Sequence, residues 1–265
     1  MVTVNIDPIL VHLGPLAISW YGIAVGAGIL VGIWLTLWEA QRKGLPTEPV
    51  MDLIFWIAGG GLIGARLLYV LDRWPVFAAD PLQILAIHTG GLSIMGALLG
   101  GGLTAAVLAR RKGLPVRRFF DAAAPGIVLG QAIGRFGCLV TGDTVGRATN
   151  GSWGVVYQNP GARVPQLGVA YQPAFFYEQL WDLLVFAILW RLRKRITADG
   201  QIFALYLGLY AVGKFAITFV RLDLVYVWGL QQSHFVALGL LALAIGWGLW
   251  GHTSGCGLGT PKLSS

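Results

Sequence analysis

The chain has 265 residues, of which 56% are hydrophobic and only 12% are charged, and its mean hydropathy is +0.69. These proportions exclude an ordinary soluble domain, in which about a quarter of the residues are charged, and they predict an integral membrane protein. The formal net charge of +7 would suggest nucleic acid in a soluble protein. Here most of the excess lies in short loops between apolar segments, so no nucleic-acid partner is predicted.

Seven apolar stretches are long enough to cross a bilayer. In chain order they cover 16–38, 51–71, 91–109, 119–140, 174–192, 202–221 and 233–251. The fourth is the weakest, because Asp121, Pro125 and Arg135 interrupt it. We therefore predict an all-α integral membrane protein with seven transmembrane helices in a single domain over residues 1–265.

The basic loops predict the orientation of these helices. The segment before the first span contains no Lys or Arg, and no small-residue cleavage site follows it, so a removable signal peptide is not expected. Basic clusters at 42–43, 110–118 and 191–195 alternate with the seven spans. The positive-inside rule places these clusters in the cytoplasm, with the N-terminus outside and the C-terminus inside.

Two other features of composition bear on the outer side and on helix packing. The polar insertion at 141–173 is rich in Gly, Asn, Pro and aromatic residues, which favours turns and short strands over the membrane surface. The 38 glycines concentrate within the spans, where they allow close helix packing or let backbone donors face a lipid headgroup. Cys138 and Cys256 lie on opposite sides of the membrane in this topology, so no disulfide is predicted.

Ionisable residues within the spans are the strongest functional signal, because such residues are costly in a bilayer. Arg66 lies in the second span, and Gln131 and Arg135 share one face of the fourth. Glu178 and Asp182 are four residues apart in the fifth span. The sixth span carries a polar stripe at i, i+4, i+8 and i+11, formed by Tyr210, Lys214, Thr218 and Arg221.

Two interpretations of these charges remain open. The cations either pair with carboxylates as internal struts, for example Arg66 with Glu178 or Asp182, or converge on an anionic headgroup near the outer leaflet. Arg offers paired hydrogen bonds to phosphate. A phospholipid phosphate is the simplest ligand that fits the second interpretation.

Several segments, taken in order, resemble the prolipoprotein diacylglyceryl transferases of bacterial inner membranes. They are SWYGIAVGAG around Tyr21, GARLLYV around Arg66, GGLSIMGALLGG around Ser93, GRFGCLVTGDTVGR from Gly134 to Arg147, QPAFFYEQLWD around Glu178, and YAVGKFAITFVRLD from Tyr210 to Asp223. The resemblance implies a multi-pass inner-membrane enzyme without a cofactor or metal. Such an enzyme moves the diacylglyceryl group of phosphatidylglycerol, or a similar anionic phospholipid, to the lipobox cysteine thiol near a prolipoprotein signal peptide, and glycerol phosphate is released.

The resemblance also implies site residues by position. The expected catalytic residues are Arg135, Asp143, Lys214 and Arg221. The expected lipid-binding residues are Tyr21, Arg66, Ser93, Met95, Gln131, Gly134, Cys138, Gly146, Arg147, Tyr210 and Thr218.

The chain departs from the family pattern at positions that carry chemistry. Met95 replaces the family's His, and a thioether cannot accept a proton at useful pH. The other replacements are Cys138 and Thr141 for two Asn, Asp143 for Glu, Lys214 for Arg, and Thr218 for Glu. Asp143 keeps a carboxylate at a matched position, so it is the strongest acid–base candidate.

Other groups are weaker candidates for the missing base. His88 lies near a predicted membrane interface, where a structural role is the better expectation. His234 lies near the outer start of the last predicted span, and His12 and His252 attract no role. Cys138 beside Arg135 suggests a thiolate nucleophile, although a small residue filling a helix contact explains it more simply. Three functions remain: the family reaction, a related phospholipid-dependent transferase with another acceptor, and a non-catalytic lipid-binding paralogue.

Overall fold

The computed structural model describes residues 1–14, 16–85, 91, 93–222, 225–227 and 229–254. Within these residues the fold is predominantly helical. The helices are α1 Trp20–Arg42, α2 Thr47–Asp72, α3 Trp74–Ala79, α4 Ile94–Arg111, α5 Val116–Thr141, α6 Ala174–Leu192, α7 Gln201–Thr218 and α8 Gln232–Ser254. A 3₁₀ turn at Pro81–Leu85 follows α3.

Five helices in the described part of the chain are long and apolar enough to cross a membrane. They are Trp20–Arg42, Thr47–Asp72, Val116–Thr141, Gln201–Thr218 and Gln232–Leu249. The fourth predicted span is among them despite its three interruptions. Helices α4 and α6 coincide with the other two predicted spans but are not among the five, and α6 carries Glu178, Asp182 and Arg191. The count of seven spans therefore remains a prediction.

Short strands qualify the all-α prediction. Strand β1 (Val2–Val4) pairs in parallel with β4 (Val155–Tyr157), which pairs antiparallel with β5 (Ala170–Tyr171). The registers align Val2 with Val155 and Val155 with Tyr171. Two antiparallel hairpins join β2 (Ile9–Leu13) to β3 (Leu16–Ser19) and β6 (Val225–Val227) to β7 (Leu230–Gln231). Strands β4 and β5 belong to the 141–173 insertion, which its turn-rich composition predicted to hold short strands.

Contacts within the chain divide it into two compact units. The first comprises residues 1–36 and 120–265, and the second comprises 37–119. The division falls inside α1 and near the start of α5, and no linker composition marks it. The single domain predicted from the sequence therefore stays a prediction, and each unit is described by itself.

In the second unit, glycines bring α2 and α4 into backbone contact. A Cβ built on Gly64 would lie 2.8 Å from the Cα of Gly100, and it would also overlap the carbonyl oxygen of Gly96. A side chain at Gly60 would in turn overlap Thr104. Because the glycines leave no room for a Cβ, their role here is close helix packing.

In the first unit, α1 and α5 cross in the same way. A Cβ on Gly28 would lie 2.5 Å from the carbonyl oxygen of Gly130. At the other end of α5, the buried carboxylate of Asp121 accepts hydrogen bonds from the backbone N–H groups of Gly200 and Phe203, each at 2.8 Å. Asp121 therefore caps the N-terminus of α7, which explains a carboxylate within an apolar segment.

Candidate functional site

Three cations from separate segments of the first unit converge on the buried carboxylate of Glu178. Lys214 Nζ and Arg221 Nη1 each donate a hydrogen bond to Oε1 at 2.9 Å. Arg135 Nη2 approaches Oε2 at 2.5 Å as an ion pair. We call Arg135, Glu178, Lys214 and Arg221 the cation cluster, and its formal charge is positive because three cations share one carboxylate.

Helix geometry explains why these four residues meet. Arg135 lies within two turns of the end of α5, and Lys214 lies one turn before the end of α7. Glu178 lies one turn after the start of α6, and Arg221 follows the end of α7. The ends of α5 and α7 and the start of α6 therefore form one end of the first unit, and the cluster lies there.

The cation cluster is buried enough to strengthen the electrostatic interactions among its charges, and its three cations are exposed enough to be reached by a ligand. Glu178 has a side-chain exposure of only 5%, whereas Arg135, Lys214 and Arg221 retain 19%, 15% and 14%. Water screens charges poorly in such a setting. Partly exposed cations in excess over their buried carboxylate form a site that attracts an anion.

The chain around Arg221 is fixed by backbone pairing. Gly146 forms an antiparallel bridge with Arg221, and Arg147 N–H donates to the carbonyl of Val220 at 3.0 Å. On its other side, Gly146 N–H donates to the carbonyl of Gln172 at 2.8 Å. A Cβ at Gly146 would lie 2.8 Å from the carbonyl oxygen of Val220. Gly146 thus permits a close chain approach that positions Arg221, while Arg147 itself is exposed.

Tyr21 and Asp143 lie near the Arg135 end of the site. Tyr21 contacts α5 closely, since a Cβ on Gly137 would lie 2.7 Å from the Cα of Tyr21. Both Arg135 and Asp143 interact electrostatically with Tyr21. Asp143 is exposed just after α5 ends, so its carboxylate is accessible to a ligand or to water.

Cys138 is buried and packs against strands β4 and β5. Its sulfur lies 3.7 Å from the hydroxyl of Thr144, which is also 3.3 Å from a carboxylate oxygen of Asp143. Cys138 packs in an apolar cluster with Val145 and Tyr157. Burial of this kind supports the packing interpretation of Cys138 over the nucleophile interpretation.

Tyr157 anchors strand β4 to the end of α5. Its hydroxyl donates to the carbonyl of Leu139 at 2.9 Å. Burial, and secondly the negative charge of Asp143, raise the pKa of Tyr157 well above its usual value. Tyr157 therefore stays a neutral hydrogen-bond donor and holds the insertion in place.

A second polar layer lies one helical turn further along the helices from the cation cluster. Tyr210 interacts electrostatically with Arg135 and Asp182. The ring of Tyr210 packs on that of Tyr206, whose hydroxyl donates to Gln131 Oε1 at 3.1 Å. The predicted residues Tyr210 and Gln131 are thus brought close to Arg135, and Gly134 lies beside it in α5.

Arg66 has a different environment. Its guanidinium donates to the backbone carbonyls of Gln83, Ile84 and Gly91, with distances of 2.5, 2.9 and 2.9 Å. These contacts hold the segment after α2. The lipid-binding role of Arg66 and its pairing with Glu178 or Asp182 stay predictions.

Ser93, Met95 and Thr218 also have local explanations. Ser93 is the N-cap of α4 and accepts a hydrogen bond from Gly96 N–H at 3.4 Å, and Met95 lies in the first turn of that helix. The fully buried Thr218 donates its hydroxyl to the carbonyl of Lys214 at 2.6 Å. Thr218 therefore hydrogen-bonds within the last turn of α7. It was predicted to belong to the polar stripe of the sixth span, but its side chain is buried.

The histidines considered as bases lie in structural or undescribed positions. His234 is buried against Phe215 and Phe219, and its Nδ1 accepts from Gln231 N–H at 3.1 Å. His88 and the side chain of His252 lie outside the described residues. His12 is exposed in β2. The packing of His234 indicates a structural role.

Glu178 belongs to the candidate site, although the sequence alone did not include it among the expected site residues. Its position in a predicted span, one helical turn from Asp182, was a usable signal, because intramembrane carboxylates usually pair with cations. Spacing along one chain cannot show that three cations from two other segments share this carboxylate. Only the packing of α5, α6 and α7 does so.

Comparisons with known proteins show the family of the chain. Residues 8–250 match the model of the family described as prolipoprotein diacylglyceryl transferase. The chain is similar to proteins named phosphatidylglycerol–prolipoprotein diacylglyceryl transferase from Bacillus cereus and Shouchella clausii. Identity with the first is 35% over 244 residues, covering 91% of this chain and 90% of that protein. Identity with the second is 36% over 249 residues, covering 92% and 89%. The chain therefore belongs to the prolipoprotein diacylglyceryl transferase family.

Proposed function

We propose that this protein transfers the diacylglyceryl group of phosphatidylglycerol to the lipobox cysteine thiol of prolipoproteins and releases glycerol phosphate. The observation that carries the proposal is the convergence of Arg135, Lys214 and Arg221 on one carboxylate. We infer the two substrates, phosphatidylglycerol and a prolipoprotein, from the names of the relatives. The cluster supplies what the reaction needs most, which is positive charge beside a departing phosphate.

The proposed reaction breaks one bond and forms another. The thiol sulfur attacks the carbon of the diacylglycerol unit that is bonded to the phosphate oxygen. A carbon–sulfur bond forms at this carbon, and its bond to the phosphate oxygen breaks, so that glycerol phosphate leaves. Negative charge grows on the departing phosphate oxygen, and fixed cations in a poorly hydrated site stabilise it. Arg135 and Arg221 offer paired donors, while Lys214 contributes a compact charge.

The thiol proton must leave as the carbon–sulfur bond forms. Asp143 is our candidate acceptor, because it is exposed beside Tyr21 and retains a carboxylate at the matched position. Met95 cannot take this role. The acceptor peptide is the prolipoprotein signal peptide with its lipobox.

The proposed setting is a bacterial inner membrane crossed by seven helices. Helices α4 and α6 supply the two spans beyond the five that are apolar enough on their own. The N-terminus then lies outside and the C-terminus lies in the cytoplasm, as the basic loops predict. The cation cluster falls near the outer leaflet in this orientation, together with the 141–173 insertion.

A second candidate function is favoured by Met95 at the family's His position. A related transferase with another acceptor, or a non-catalytic lipid-binding paralogue, would keep the cation cluster and dispense with the family base. Both alternatives predict phospholipid binding that depends on Arg135. Neither predicts modification of prolipoproteins.

Complementation tests the proposal. The chain is expressed in a bacterium depleted of its own diacylglyceryl transferase, and lipoprotein modification is followed by mass shift, with membrane expression measured in parallel. We expect modification by the wild type and its loss in Arg135→Ala. Failure of the wild type at normal expression would contradict the transferase proposal, and phospholipid binding lost in Arg135→Ala would then favour the alternatives.

A further inference from the structure

Asp182 is a second buried carboxylate that the proposed transfer reaction does not use. It lies on α6 one turn beyond Glu178 and is 2% exposed. Its Oδ2 atom has no hydrogen-bond partner among the residues that the structure describes. A buried carboxylate oxygen without a donor is unfavourable in its charged form, so the state of this group needs an explanation.

Groups from its own helix and from two neighbouring helices act on Asp182. Arg135 of α5 and Lys214 of α7 favour the carboxylate, whereas Glu178 of α6 opposes it. The phenols of Tyr206 and Tyr210 also face it from α7. Arg135 and Lys214 already form ion pairs with Glu178, so Asp182 and Glu178 share the attraction of the same two cations. The balance between the carboxylate and the acid is therefore sensitive to any further charge in the site.

A phosphate bound at the cation cluster would supply that further charge. With Asp182 ionised, three cations face two carboxylates, and one net positive charge remains for the ligand. With Asp182 protonated, two remain. A bound phosphate draws on the same cations that stabilise the Asp182 carboxylate, and it adds a like charge nearby. Both effects favour the acid form when the site is occupied.

We propose that Asp182 is a proton-binding positioning residue of the phosphate site, which binds its proton more firmly when a phospholipid phosphate occupies the cation cluster than when the cluster is empty. The inference rests on the proposed function in one respect, which is that the cluster binds a phospholipid phosphate. Because linkage is reciprocal, lipid binding takes up a proton at Asp182 and a lower pH strengthens lipid binding.

The sign of the pH dependence follows directly. As pH rises, Asp182 loses its proton, the net positive charge of the site falls, and the phosphodiester binds more weakly. The phosphodiester of the lipid stays singly charged between about pH 5 and about pH 8, so the pH dependence of binding arises from a group of the protein. For one linked proton the affinity falls by at most about tenfold per pH unit.

The test measures binding of short-chain phosphatidylglycerol to the purified full-length protein without an acceptor peptide. Calorimetry between about pH 5 and about pH 8 covers the range in which a buried carboxyl group titrates. For the wild type we expect weakening with rising pH and proton uptake detected with buffers of different ionisation enthalpy. Asp182→Asn mimics the acid form, so we expect it to bind at every pH as tightly as the wild type does at low pH.

Two control variants separate the possible outcomes. Asp52→Asn removes an exposed carboxylate paired with Lys112 and should keep the wild-type pH dependence. Asp182→Glu keeps an acid and should restore the dependence in part. If Asp182→Asn keeps the wild-type slope, or if the wild type takes up no proton on binding, the inference is overturned. If Asp182→Asn fails to fold, Asp182→Glu serves as the test variant, and a wild type that takes up no proton on binding still overturns the inference.

If the proposed phosphate site itself is wrong, the binding experiments give a different result from the one that overturns the role of Asp182. If Arg135→Ala binds the lipid as well as the wild type, the phosphate is not at the cation cluster, and both proposals fall. If Arg135→Ala loses binding while Asp182→Asn retains the full pH dependence, the anion site stands and the role of Asp182 falls.

Discussion

Two arginines in apolar sequence, Arg66 and Arg135, have opposite surroundings. Arg66 donates to three backbone carbonyls within the second unit. Arg135 approaches a carboxylate that Lys214 and Arg221 also bind. The carbonyls around Arg66 accept its hydrogen bonds and thereby hold a loop in place. The single carboxylate of Glu178 neutralises only one of the three cations around it, so the site keeps a net positive charge. The partners of a buried cation therefore separate a structural contact from a ligand site.

Removing the shared carboxylate should have the largest effect. Glu178→Ala leaves three partly buried cations without their common partner, and we expect a loss of stability of about 3–5 kcal/mol. Thermal unfolding in detergent measures this loss, and an anionic phospholipid should restore part of it. The matched control is Asp52→Ala, whose 63% exposed carboxylate should contribute about 0–1 kcal/mol. Equal losses in the two variants would remove the distinction between the cluster and a surface pair.

Alanine at the two arginines tests the comparison directly. Arg135→Ala should lower transfer activity by about 100-fold or more, since it removes a donor to the developing charge. Arg66→Ala should instead destabilise the fold by about 1–3 kcal/mol for a carbonyl left unsatisfied. Activity per folded molecule and thermal unfolding are measured for both. Loss of lipid binding in a fully folded Arg66→Ala variant would place Arg66 in the lipid site.

A smaller effect is expected at Gly146, which positions Arg221 through backbone pairing and brings no side chain to the cluster. In Gly146→Ala the new Cβ would press on the carbonyl of Val220, and such overpacking costs about 1–3 kcal/mol. We expect the displacement of Arg221 to lower kcat more than it raises KM. Gly168→Ala is not a suitable control because its φ is +77°, whereas Gly26→Ala meets no atom within 4 Å and should be close to wild type.

The smallest effect is expected at Met95, in the first turn of α4 within the second unit. Met95→His places the family's usual residue at its matched position, and we expect activity to be retained or to rise. The complementation assay with measured expression tests this expectation. Abolished activity in a folded Met95→His variant would show that the segment around α4 has lost the geometry that a base requires.

Particular residues show how far the sequence predicts this fold and site. The spacing of Lys214 and Arg221 suggested one face of a single helix. Helix α7 ends at Thr218, before Arg221, yet both residues bind Glu178. Thr218 satisfies the same spacing, but its hydroxyl bonds to its own helix. Periodicity along one helix does not reveal this difference, since it depends on what packs against each side chain.

The carboxylates show the same limit. Asp121 and Glu178 are both acidic residues in apolar segments, and the sequence marked both as unusual. One caps α7 and the other binds three cations. The difference lies entirely in partners that are 36 to 82 residues away along the chain, which no local pattern specifies.

The sequence by itself determined the membrane setting, the positions of the long helices and the family, because composition, apolar length and motif order are properties of the chain read in one dimension. The tertiary structure alone decided which charges meet. Ion pairing depends on distances of a few ångströms between side chains that helix packing brings together. The resulting excess of positive charge at the ends of α5, α6 and α7 identifies the candidate site.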